Sequence, residues 1–187
     1  MARRTKDERR QMRIDVANDV LKHLHALQIS TGTYVMGKIP ATLTGDEDAQ
    51  EHLPIIRKEC RVCAKGAMVL SYIGLYDKLR LNDIFDIDDE SYEGKRLVDA
   101  EDGQLCEILE TGFDKDDLNK IEAAFELWTT AETICDDNAP YHFGKQYDYN
   151  PVIRLQAIMQ NVVDNNGDFH PEVVYVAHPE LLEEATV

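Results

Sequence analysis

Residues 53–79 read LPIIRKECRVCAKGAMVLSYIGLYDKL, from Leu53 to Leu79, and this stretch governs the reading of the fold. Ile56, Cys60, Cys63, Ala67, Leu70 and Ile73 recur at every third or fourth position, the spacing that lines one face of an α-helix. Pro54 suits the first helical position, where no backbone N–H is needed. Ala64, Gly66 and Ala67 supply a small-residue face that lets a second helix approach closely. The expectation is one long core helix over this stretch, the spine of the chain.

The pair Cys60 and Cys63 raises the question of zinc. A tetrahedral site asks for a second ligand pair at similar spacing. Cys106 and Cys135 stand alone instead, and no H-x3-5-H segment accompanies them. Positions i and i+3 of a helix lie on nearly one face, so the pair reads as two small buried hydrophobes. No metal and no cofactor is expected.

Towards the start, Met12, Val16, Val20, Leu24 and Leu27 form a helical stripe over about residues 5–27. Its beginning is basic, with Arg3, Arg4, Lys6, Arg9, Arg10 and Arg13 against Asp7 and Glu8. Positive charge at a helix N-terminus opposes the macrodipole. Residues 1–13 therefore read as a basic arm or helix start, docking on the chain's own acidic surface or on a second copy in a homodimer. The opening MARRTKDERR has no apolar core, so it does not read as a secretory signal. No apolar run is long enough for a transmembrane helix, and the expected location is the cytoplasm, with free thiols. Residues 33–39 and 173–176 carry β-formers and read as one short strand pair.

Beyond the core stretch the composition changes. Residues 82–117 hold fourteen acids against three bases, a net charge of −11 out of −16 for the 187-residue chain. Ile84, Phe85, Leu97, Val98, Leu105 and Leu109 anchor this segment, so it reads as an ordered insert with short helices. A helix follows from Asp114, an N-cap with Asp116 and Asp117 in its first turn, to about Cys135. Tyr141, His142, Phe143 and Tyr147 crowd a short loop. Asn150-Pro151 then starts another helix as cap and first residue, and Gly167 stops it after Asn165-Asn166.

So acidic a body does not suit direct nucleic-acid binding, since phosphate contacts need Lys and Arg. Its charge gives solubility, and more sharply a surface that suits a basic protein. The residues expected to form that surface are Asp83, Asp86, Asp88, Asp89, Glu90 and Glu93. A calcium loop is not read from them, because the glycine of the calcium-binding pattern is missing and Phe85 and Ile87 interrupt the set. The run Asp164-Asn165-Asn166-Gly167-Asp168 places its glycine too early for such a loop and reads as a helix-ending turn. Phosphate-loop, dinucleotide and metalloprotease motifs are absent, and no catalytic residue is assigned. Two rival readings remain. Trp128, Tyr141, His142, Phe143, Tyr147 and Arg154 would line a pocket that sequesters a nucleotide, with rings to stack on a base. A cysteine- or metal-dependent hydrolase would use Cys63 with a histidine such as His142 or His170.

Three segments together resemble a known group. They are Cys60 to Ser71 (CRVCAKGAMVLS), Leu118 to Glu126 (LNKIEAAFE), and Arg154 to Val163 (RLQAIMQNVV) leading to Asn165-Asn166-Gly167-Asp168-Phe169-His170-Pro171. They resemble a family of small acidic proteins of tailed bacteriophages and prophages, over about two thirds of the chain. No catalytic residues are assigned in that family, so none is carried over. The resemblance implies a phage accessory protein at work in the bacterial cytoplasm. Such proteins act by binding: inhibiting a host enzyme, blocking a defence system or sequestering a signalling nucleotide.

The expectation is thus a mainly α (α+β) chain: residues 14–187 form a single helical domain of four or five main helices with a short strand pair and an acidic insert at 82–117. Its expected role is non-enzymatic, binding a host protein through the acidic surface, with no membrane partner.

Overall fold

Residues 53–79 do not form one helix. The computed structural model of the chain describes residues 4–76, 78–126 and 150–171. Its elements run α1 (Lys6–His23), β1 (Gln28–Ile29), β2 (Val35–Pro40), α2 (Ala49–Glu59), β3 (Cys60–Val62), α3 (Ala64–Leu75), β4 (Asp86–Tyr92), β5 (Lys95–Ala100), α4 (Asp102–Leu109), α5 (Lys115–Glu126) and α6 (Pro151–Asp164). The helical spacing ran on across Cys60-Arg61-Val62 because three residues are too few to show a period of their own. Here Cys60 and Val62 are buried and Arg61 is exposed, the alternation of a strand. Pro54 lies inside α2 and does not open it; Asp48 is the cap, its Oδ1 accepting from the Gln50 N–H at 2.9 Å.

The architecture is α+β: among the described residues, six α-helices accompany a five-stranded mixed sheet of order β1-β3-β2-β5-β4. This corrects the mainly α expectation with its single strand pair. Residues 33–39 do overlap β2, but β2 pairs antiparallel with β3 and β5, while residues 173–176 lie outside the described residues. The missed strands have a physical reason. Aspartate and glutamate are depleted in strands, so 82–100 gave little β signal, yet β4 and β5 form there.

The described residues fall into two compact units, one within Met1–His25 and Gly112–Val187, the other within Ala26–Thr111. In the second unit, β2, β3 and β5 turn Val35, Ile39, Cys60, Val62, Val98 and Ala100 inward. Helix α2 packs on β2 and α3, and α3 on α4. Ten of the twelve α3 residues are buried, as expected of a helix apolar on all sides. Gly66 explains part of the fit: a Cβ there would lie 2.0 Å from the Tyr34 carbonyl oxygen.

In the first unit, α1 and α5 pack on α6. Helix α1 begins inside the basic segment, held by a capping box in which the Glu8 N–H donates to Thr5 Oγ1 (3.2 Å) and the Thr5 N–H to Glu8 Oε2 (2.6 Å). Asn150 caps α6 and Pro151 is its first residue. The helix ends with Asn166 and Gly167 both at positive φ, the Gly167 N–H bonded to Val162 O and the Asn166 N–H to Val163 O. That is the paired six-to-one and five-to-two closure of a Schellman turn, with Asn166 taking the left-handed position ahead of Gly167. Arg13 of α1, only 8% exposed, donates to Gly167 O (2.6 Å), Gly112 O (3.1 Å) and Asp168 Oδ1 (2.7 Å).

Candidate functional site

Five of the six acidic residues singled out from sequence, all but Asp83, lie on one hairpin at the sheet edge. β4 has β5 on one side and, among the described residues, no strand on the other. The two are joined by Glu93-Gly94, both at positive φ (53° and 74°), the conformation of a two-residue turn that follows the strand twist. Register runs Asp86↔Asp99 and Ile87↔Val98, then resumes at Ser91↔Arg96 and Tyr92↔Lys95. Between the two halves β4 has Asp88, Asp89 and Glu90 where β5 has Leu97 alone. The bulge is therefore made of acids. It is closed locally, the Glu90 N–H donating to Asp88 Oδ1 at 2.9 Å. A bulge on an edge strand re-aims side chains and interrupts the ladder.

Asp86, Asp88, Glu90 and Glu93 are exposed and form no ion pair among the described residues. Of the two bases in the hairpin, Lys95 is committed to Glu59 at 2.8 Å, and Arg96, opposite Ser91, makes no ion pair with these acids among the described residues. Asp83 stands apart from the bulge, its Oδ2 accepting from the Arg80 N–H in a short 3-10 turn. Beside the acids, Tyr92 is 73% exposed and Leu97 43%. Tyr92 lies opposite Lys95, two residues from Leu97, so the two side chains are diagonal neighbours on one face of the hairpin.

Of the expected pocket residues, Trp128, Tyr141, His142, Phe143 and Tyr147 lie outside the described residues. Arg154 is buried in the first unit, its Nε donating to Phe125 O and its guanidinium 5.1 Å from the Phe125 ring centre. Cys60 lies in β3 and Cys63 just ahead of α3, both buried, in place of one helix face. Burial pushes the Cys60 thiol up to about 12. Among the described residues no group of three His, Cys, Asp or Glu side chains is gathered to hold a metal ion. No helix among them is long and apolar enough to cross a membrane.

One cluster escaped the sequence reading. Lys65, 1% exposed near the start of α3, donates to Asp102 Oδ1 at 2.7 Å and lies 3.6 Å from Cys106 Sγ, with the Tyr34 ring centre 5.8 Å away. The Cys106 thiol donates to the same Asp102 oxygen at 3.3 Å, and burial, against the pull of Lys65, raises it to about 11. The thiol is protonated at neutral pH and is no nucleophile there. The cluster is an ion pair closed by a thiol. Its one sequence signal is a lysine inside the apolar run Ala64–Leu75. Comparison of the chain with protein-family models, curated proteins and solved structures finds no match.

Proposed function

We propose that this chain is a non-enzymatic bacteriophage accessory protein that binds a basic host protein in the bacterial cytoplasm, through the β4–β5 hairpin. The observation that carries the reading is the edge strand itself: an acidic bulge in which Asp88 and Glu90 make no ion pair among the described residues, next to an exposed Tyr92–Leu97 pair. An edge strand offers unpaired backbone groups to an incoming strand. Its acids repel a second β4 and favour a segment rich in Lys and Arg, so the same charge rejects self and selects a partner. Tyr92 and Leu97 supply the apolar anchor that charge alone does not, since tyrosine and arginine dominate binding energy at interfaces.

The test is capture from a bacterial lysate with the intact chain as bait, repeated with Asp86→Lys, Asp88→Lys and Asp89→Lys combined, and separately with Tyr92→Ala. The reading expects a basic protein to be retained by the parent chain and lost from both variants, each of which keeps its far-UV dichroism. Equal retention by the charge-reversed chain would sink it.

A further inference from the structure

The first turns of α1 take part in a second feature, distinct from the hairpin. A cavity of about 550 Å3 is bounded by Arg4, Lys6, Arg9 and Arg13, by Asp114 ahead of α5 and by Asp168 after α6. All six residues belong to the first unit. Lys6, Arg9 and Arg13 follow an i, i+3, i+7 spacing and share one helix face. Pockets of this size that take drug-like ligands are lined mainly by apolar groups with a few polar ones. Here every described lining residue is charged. What fits is small, highly charged and without a large apolar body.

Both acids in the lining are already engaged. Asp168 is held by Arg13, and Asp114 accepts from Arg9 at 2.8 Å. Two further carboxylates stand near, Glu8 beside Arg4 and Asp117 beside Arg13; each has a partner of its own, Thr5 and Lys120 respectively. Arg9 Nε is buried and has no hydrogen-bond partner among the described residues, so the guanidinium's hydrogen bond there is the one to Asp114. Lys6 is exposed and makes no ion pair among the described residues. The described lining carries four cations against two anions, and even with Glu8 beside Arg4 a positive excess remains that suits an anion.

We propose that this cavity binds a small phosphoryl anion, with Lys6 and Arg9 as its ligands. An Arg fork matches phosphate oxygens and a lysine adds a point charge, so tetrahedral oxygens meet both together. Arg13 is a positioning residue: fixed by Gly112, Gly167 and Asp168, it holds the wall against which the anion sits.

Inorganic pyrophosphate, titrated into the full chain at low ionic strength and followed by calorimetry, tests this. Saturable one-to-one binding that weakens as salt is added is expected. Lys6→Gln and Arg9→Gln should each weaken it about tenfold, the size of effect that loss of one charge-assisted contact gives. Asp114→Asn should strengthen it several-fold by releasing Arg9. Asp114 is largely exposed and Arg9 partly so, and Arg9→Gln and Asp114→Asn should stay folded by far-UV dichroism. Should Arg9→Gln unfold, Lys6→Gln and Asp114→Asn still give opposite expected signs. Absence of saturable heat, binding indifferent to both glutamine variants, or weaker binding in Asp114→Asn would each overturn the proposal.

Discussion

Arg13 shows how little a single position reveals of its own surroundings. In sequence it is one more base in a basic stretch. In the fold it is buried, and its partners lie 99, 154 and 155 residues away. Helical spacing reports which face a residue shares, but it is silent on which distant carbonyls that face will meet. Replacing Arg13 with Met should cost about 2–4 kcal/mol in urea unfolding, since two carbonyls and a carboxylate lose a charged donor together. Asp168→Asn should cost much less, because that carboxylate is half exposed. The thiols give a second check at this scale. With Cys135→Ser in place, the native chain should react slowly with iodoacetamide at mildly alkaline pH and fully in urea, since Cys63 is buried and burial holds Cys60 near 12 and Cys106 near 11. Asp117 gives a third. Burial raises its carboxyl above the ordinary 3.8, opposed by Lys120 and Arg13. The folded chain then binds a proton that the unfolded chain has released, so stability falls as pH rises from the ordinary value through the raised one. Asp117→Asn should flatten that part of the pH–stability curve.

Elements were legible where their ends are chemical. Asn150-Pro151 and Asn165-Asn166-Gly167 frame α6 as read, and Asp114 stands just ahead of α5. Of the strands only β2 was read, at residues 33–39, because pairing is a long-range property: Val35 opposite Ala100 leaves no local mark. In β4 the acids that drew attention as a surface also hid the strand beneath them. Of the site, the acidic residues were read, while their gathering into a bulge and the exposed Tyr92 beside it came only with the register. Two substitutions probe the elements themselves. Glu93 takes a left-handed conformation that Asn adopts more readily, so Glu93→Asn should stabilise the chain by roughly 0.5–1 kcal/mol in chemical unfolding. Gly66→Ala should destabilise it by about 1–3 kcal/mol, because the added methyl meets backbone that must move.

At the scale of the whole molecule the net charge of −16 sets the response to salt. Like charges repel in the folded chain more than in the expanded one, and added ions screen them. The melting temperature should therefore rise by several degrees from very low to physiological salt, and the charge-reversed hairpin variant should show a smaller rise. The chain path has a different consequence. The first unit is discontinuous: α1 precedes the second unit, and α6, on which it packs, follows it. During synthesis α1 emerges first, then waits while the whole of Ala26–Thr111 is made. At ordinary elongation rates that delay is on the order of ten seconds, long enough for the second unit to close on itself. Met12, Val16 and Val20 spend that interval uncovered by α6, so a helix made before the second unit is housed only after it.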